Sequence, residues 1–129
     1  MKYFLIIILV LVLIFIVAYG LYCFLTYIDE TITVGKGYGF TIGDSKEETY
    51  QKAKKNYENK TVFILHPIDH RGYGPHKKFT FSPEEYSLIS ELDSWTFYFT
   101  DDYFDLIQLK FEDSNLVEIH RHRKKFELP

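Results

Sequence analysis

The sequence predicts an α+β protein: an N-terminal transmembrane helix, then two short helices packed on an antiparallel sheet that ends in a three-stranded meander. Three observations predict it. The 23 residues from Tyr3 to Leu25 carry no charge. Ser45 and Ser82 each open a capping signal followed by apolar residues at helical spacing. The last third alternates apolar and polar residues in three runs parted by turn residues.

The uncharged segment would form a helix of about 35 Å at 1.5 Å per residue. A bilayer hydrocarbon core is about 30 Å thick, so residues 3–25 are long enough to span it with modest tilt. Lys2 precedes the segment, and Asp29 and Glu30 follow it. The positive-inside bias then puts the N-terminus in the cytoplasm and the domain outside it. Tyr19, Tyr22 and Tyr27 cluster at the far end, as an interfacial aromatic belt does. Ala18-Tyr19-Gly20 has the small-x-small form of a signal-peptidase site, but the apolar run continues to Leu25, which favours a retained anchor. Leu21-Tyr22-Cys23 approaches a lipoprotein cleavage site, with bulky Tyr22 where that pattern has Gly or Ala. Residues 1–28 are therefore read as the anchor, 29–44 as a linker and extended segment, and 45–129 as the extracytoplasmic domain.

The chain has 129 residues and one cysteine, Cys23, inside the apolar run. One compact core is expected, with no disulfide within the monomer. Aromatic residues make up 19% of the chain, which favours a packed core over a disordered stalk.

Gly35, Gly37, Gly39 and Gly43 interrupt any helix before residue 44. Their spacing is not a dinucleotide fingerprint, because no preceding strand of a βαβ unit exists. Ser45-Lys46-Glu47-Glu48 is a capping box, and Tyr50, Ala53 and Tyr57 form one buried stripe over 46–57. Lys52, Lys54 and Lys55 take the solvent side. Asn59-Lys60-Thr61 matches a glycosylation sequon, read as a chance match. Thr61 to Leu65 is a short strand, and His66 to Lys78 a loop. Ser82-Pro83-Glu84-Glu85 is a second capping box with Pro at the first helical position. Tyr86, Ile89 and Leu92 give that helix its apolar stripe.

In the meander, Trp95, Phe97 and Phe99 share one face of the first strand, with Thr96, Tyr98 and Thr100 opposite. Asp101-Asp102 makes a turn. Ile107, Leu109 and Phe111 face inward on the second strand. Glu112 to Asn115 turns the chain into a third strand, with Val117 and Ile119 inside and Glu118 and His120 outside. One polar face per strand suits a sheet covered by helices on one side.

Charge is unevenly spread. From Ser82 to Glu118 there are ten acids against one base, Lys110, a net −9, and Arg121, Arg123, Lys124 and Lys125 follow as +4. The stretch reads either as solvated turns and helix faces or as an acidic docking face. The net charge of −3 gives no global attraction to nucleic acid, and none is expected as a partner. The basic run could meet anionic lipid headgroups, an acidic partner or the protein's own acidic band.

Two capped helices followed by W-x-F-x-F and a meander resemble the small BamE-like (SmpA/OmlA) envelope proteins. The residues that carry the resemblance are Gly43-Asp44-Ser45-Lys46-Glu47-Glu48, Trp95-Thr96-Phe97-Tyr98-Phe99, and Leu109 to Ile119. The chain departs from that pattern at the missing lipobox and in the loop from His66 to Phe81. The ending Arg121-His122-Arg123-Lys124-Lys125-Phe126-Glu127-Leu128-Pro129 is similar to the "R-H-R-x-x-F-E-L-P" ending of small membrane-anchored proteins that look like immunity proteins of bacterial toxin systems. That resemblance implies a protein of the bacterial inner membrane that neutralises a toxin by binding it. The BamE-like one implies an envelope assembly or scaffold accessory.

No catalytic constellation is apparent. Asp69-His70 has no accompanying nucleophile, no G-x-S-x-G elbow exists, and His66, Asp69, His70 and His76 match no closed zinc spacing. Glu118, His120 and His122 lie at i, i+2, i+4 on one strand face and form a weak metal candidate, read mainly as surface residues. No cofactor and no enzymatic activity are expected. The candidate partner-binding residues are Asp101, Asp102 and Tyr103, with Tyr73, Arg121 and Arg123, engaging a protein that is a toxin or an envelope complex.

Overall fold

In the computed structural model, residues 1–64, 67–68, 72–73, 77–99 and 105–124 are described, with the backbone alone at 2, 67–68, 72–73 and 77. Helix α1 runs from Lys2 to Thr26. It is apolar all round and its side chains project away from the protein, as expected of a helix without a protein neighbour. By length and composition it is compatible with a membrane span or with a signal segment.

One residue after α1 the chain enters β1 (Ile28–Ile32), which pairs antiparallel with β10 (Asn115–Arg123). Residues 29–32, from the stretch expected as a linker and extended segment, therefore supply most of an edge strand of the main sheet. Its remaining residues form a small ribbon, β2 (Lys36–Gly37) with β3 (Phe40–Thr41). Gly39 turns that ribbon at φ +87°, and a Cβ there would collide with the Asn56 side chain.

Helix α2 spans Lys46–Tyr57. The Ser45 side chain accepts from the Glu48 amide, and Glu48 accepts from the Ser45 amide at 3.0 Å, completing the expected box. Tyr50, Ala53 and Tyr57 are buried. Strand β4 (Val62–Ile64) follows, then a two-residue ribbon of β5 (Pro67–Ile68) and β6 (Gly72–Tyr73), then β7 (Lys77–Phe79). Helix α3 covers Pro83–Ser90 with Ser82 capping the Glu85 amide. The meander is β8 (Ser94–Tyr98), β9 (Asp105–Glu112) and β10.

The sheet has six strands in the order β1-β10-β9-β8-β4-β7, all neighbours antiparallel. One core lies between it and the helices. Trp95, Phe97, Ile107, Leu109 and Ile119 from the sheet meet Tyr50, Ala53, Tyr57 and Ile89 from the helices. Trp95 is fully buried and its indole N–H donates to the Ile89 carbonyl at 2.6 Å, tying β8 to α3.

Two face assignments differ from the alternation. Leu116 and Ile119 are both fully buried, although three residues apart, while Val117 is only half-buried. A register shift between Leu116 and Glu118 explains this: the bulge at Val117 inserts one residue and resets the phase of β10. Tyr98, expected on the outer face, is buried there beside Phe63 and Leu106 of the flanking strands. The outer face is therefore apolar at that corner.

Candidate functional site

Strand β10 positions the functional side chains, and its alternation sorts them. Glu118, His120 and His122 point to the outer face. Arg121 and Arg123 share the parity of buried Ile119, so they point to the helix-covered face where the core ends. The arginines are thus part of the folded sheet and not of a solvated tail. That signal was present in the sequence, because the period-2 rule extends to Arg123 once the strand is known to continue beyond His120.

On the outer face Glu118 pairs with Lys110 across the strands at 2.6 Å. His120 Nε2 lies 2.9 Å from Asp29 Oδ1, and His122 Nδ1 lies 3.9 Å from the same oxygen. The Tyr27 hydroxyl donates to Asp29 Oδ2 at 3.1 Å. The hydrogen bond from His120, then that from Tyr27, holds the Asp29 carboxyl below its usual range. The weak metal triad is therefore not assembled. Its carboxylate is turned to a lysine and its imidazoles to an aspartate on β1. Among the described residues no group of three His, Cys, Asp or Glu side chains is placed to hold a metal.

On the inner face Arg121 forms an ion pair with Asp105 and donates to the carbonyls of Leu106 (2.6 Å) and His122 (3.0 Å). Its guanidinium lies over the Phe99 ring, 5.3 Å from the centroid. Arg123 Nε donates to the carbonyl of Thr26, the last residue of α1, at 3.3 Å. Lys60, just past α2, stands over the rings of Tyr57 and Phe99 at 5.8 and 5.9 Å. These groups line a cavity of about 460 Å³ together with Tyr38. Burial pushes the Tyr57 hydroxyl up to about 12, so it stays a neutral donor. The Tyr38 hydroxyl donates to Glu30 at 2.5 Å, which raises its pKa. Sequence reading missed the cavity because Tyr38, Tyr57, Lys60 and Arg123 are brought together only by the antiparallel register.

The acidic stretch from Ser82 to Glu118 does not form one surface. Asp105 pairs with Arg121 and Glu118 with Lys110, and Glu85 is buried. Four exposed members gather instead at the end of the domain opposite α1. Asp93 and Glu91 close α3, and Glu112 and Asp113 turn β9 into β10. The Phe111 amide donates to the Asp93 carbonyl at 2.8 Å and the Lys46 amide to that of Ser114 at 3.0 Å, which locks these segments together. Lys46 Nζ lies 3.4 Å from Asp93. Asp101, Asp102 and Tyr103 lie outside the described residues, as do His66, Asp69, His70 and His76 and the last five residues of the chain. Of Tyr73 only the backbone in β6 is described.

No protein-family model matches this sequence. No curated protein and no solved structure matches it either. The likeness to immunity-type and BamE-like proteins accordingly rests on the sequence strings alone.

Proposed function

We propose that the protein is a membrane-anchored binding module that acts by stoichiometric association with another protein, without turnover and without a cofactor. In this reading α1 is retained in the bacterial inner membrane, the N-terminus is cytoplasmic, and the domain lies on the other side. The partner is a toxin that the domain neutralises, as the Arg121-to-Pro129 ending implies. The observation that carries the reading is the gathering of Glu91, Asp93, Glu112 and Asp113 at the end farthest from the anchor. Carboxylates so placed steer a basic partner into contact and raise its association rate. The rigid sheet behind them keeps the ordering cost of binding low. Asp101, Asp102, Tyr103 and Tyr73 stay contact candidates from the sequence alone, and the first three are no part of this end, because they link Phe99 to Asp105 at the α1 end of β9.

The test is capture of the products of neighbouring genes by the full-length protein in detergent, beside a toxicity rescue assay. Rescue is expected, with an association rate that falls steeply between 0.1 and 1 M salt. Rescue unchanged by the double reversal Glu112→Lys with Asp113→Lys would exclude docking through this end. Capture of a membrane-assembly complex, with envelope defects on deletion and no rescue, would assign the protein to the BamE-like scaffold role instead.

A further inference from the structure

The cavity at the α1 end of the sheet has a chemistry that the protein-binding reading does not use. Its three cations come from two separated places, Lys60 after α2 and Arg121 with Arg123 on β10. Against them stand Asp105, paired with Arg121, and, outside the lining, the Glu30 carboxylate, which accepts from the Tyr38 hydroxyl and keeps its charge. Among the described residues Lys60 has no carboxylate partner, only the faces of Tyr57 and Phe99, and the terminal nitrogens of Arg123 have none. Two aromatic walls, a neutral tyrosine hydroxyl and three cations against two carboxylates among the described residues describe a site for a small anion carrying an organic group. At about 460 Å³ the cavity is within the usual range of small-ligand sites.

Its location narrows the class. Arg123 reaches the Thr26 carbonyl, so the cavity opens within one arginine side chain of the end of α1. The 25 residues of α1 extend about 37 Å at 1.5 Å per residue, against about 30 Å of hydrocarbon. A centred helix therefore places Thr26 in the headgroup layer. Tyr22 and Tyr27 flank it, both exposed.

We propose that this cavity binds a phosphate ester anion, supplied by the headgroup of an anionic phospholipid. Lys60 and Arg123 contact the phosphate oxygens, Arg121 contributes charge from behind its pair with Asp105, and the Tyr57 hydroxyl donates to an ester or glycerol oxygen. The inference rests on α1 being retained in the membrane, but not on which side the domain faces, because both leaflets carry phosphate.

The full-length protein in detergent micelles is titrated with phosphatidylglycerol, with phosphatidylcholine and with soluble glycerol phosphate. Bound lipid is followed by native mass spectrometry and stability by thermal unfolding. Phosphatidylglycerol is expected to bind and raise the unfolding temperature, phosphatidylcholine far less. Lys60→Gln and Arg123→Gln should each weaken binding about fivefold, the factor that roughly 1 kcal/mol per basic residue near a charged surface corresponds to. Lys55→Gln, on the exposed side of α2 and outside the cavity, should bind as the native chain does. Asp105→Asn should tighten binding, a gain that misfolding does not mimic. Equal losses for Lys55→Gln and Lys60→Gln, or no change in Lys60→Gln and Arg123→Gln together, would overturn the site. Saturation by glycerol phosphate alone would keep the phosphate chemistry and move its source to a soluble ester. No binding of either ligand would remove the proposal. Alkaline extraction of the same membranes checks the anchor separately: release of the protein would overturn the lipid source and leave the glycerol phosphate arm to decide the cavity.

Discussion

His120 Nε2 sits 2.9 Å from Asp29 Oδ1, joining the fourth-from-last residue of β10 to the second residue of β1 across 91 positions of chain. The contact holds the edge strand beside the helix exit. Asp29 has a folded pKa below its ordinary value. Its contribution to stability is therefore present above about pH 4, its unfolded range, and is lost as pH falls through the lowered folded value. Glu48 of the α2 capping box is lowered by the Ser45 amide and hydroxyl and acts with the same sign. Asp29→Asn should flatten part of the acid limb of a thermal-unfolding series in detergent and speed amide exchange in β1. Unaltered exchange across Asp29 to Ile32 would show that strand pairing alone holds the edge.

Trp95 should be the most sensitive single position in the core. It is fully buried and is the only tryptophan. Trp95→Ala is expected to cost about 3–5 kcal/mol. Trp95→Phe keeps much of the volume and loses only the indole hydrogen bond, since the Ile89 carbonyl still accepts from the Leu92 amide, at a cost of about 0.5–1.5 kcal/mol. Native emission should be blue-shifted and should move red on unfolding, and an exposed-type native spectrum would contradict the packing.

The turn between β9 and β10 carries strain that glycine relieves. Asp113 and Ser114 both have positive φ, +49° and +66°, the left-handed pair of a two-residue hairpin turn. Ser114→Gly should stabilise the domain by on the order of 1 kcal/mol, since the left-handed conformation costs a residue with a Cβ about that much. Ser114→Val should lower the unfolding temperature, and a rise with valine would refute the turn assignment.

The bulge at Val117 gives an unusual expectation for a deletion in a strand. Leu116 faces Phe111 and Glu118 faces Lys110, so Val117 has no partner of its own on β9. Removing Val117 leaves Leu116 in, Glu118 out and Ile119 in, with an unbroken ladder. The shortened protein should fold, with a blue-shifted Trp95. Deleting Gln108 in β9 instead should abolish folding, because a one-residue slip turns a buried face to solvent.

A phosphatase reporter fused after Pro129 should be active, and a reporter that works only in the cytoplasm should be inactive there. The reverse result would put the domain in the cytoplasm and remove the toxin-neutralising reading in its proposed compartment.

The sequence by itself determined whatever depends on near neighbours. The uncharged run gave α1. The Ser45 box gave the start of α2, and the 3.6-residue stripe of Tyr50, Ala53 and Tyr57 its buried side. Alternation placed Trp95, Phe97, Ile107, Leu109 and Phe111 in the core. These signals are local because caps, helix faces and strand faces are set within a few residues. Tertiary structure decided what depends on pairing between distant segments. It drew residues 28–32 into the sheet because β10 presents an edge directly beside the end of α1. It reset β10 at Val117, where burying both Leu116 and Ile119 outweighs a regular ladder. It gave Arg121 and Arg123 a helix-covered cavity with Lys60 and Tyr57, because antiparallel register brings the end of β10 beside the end of α2, a relation no stretch of sequence contains.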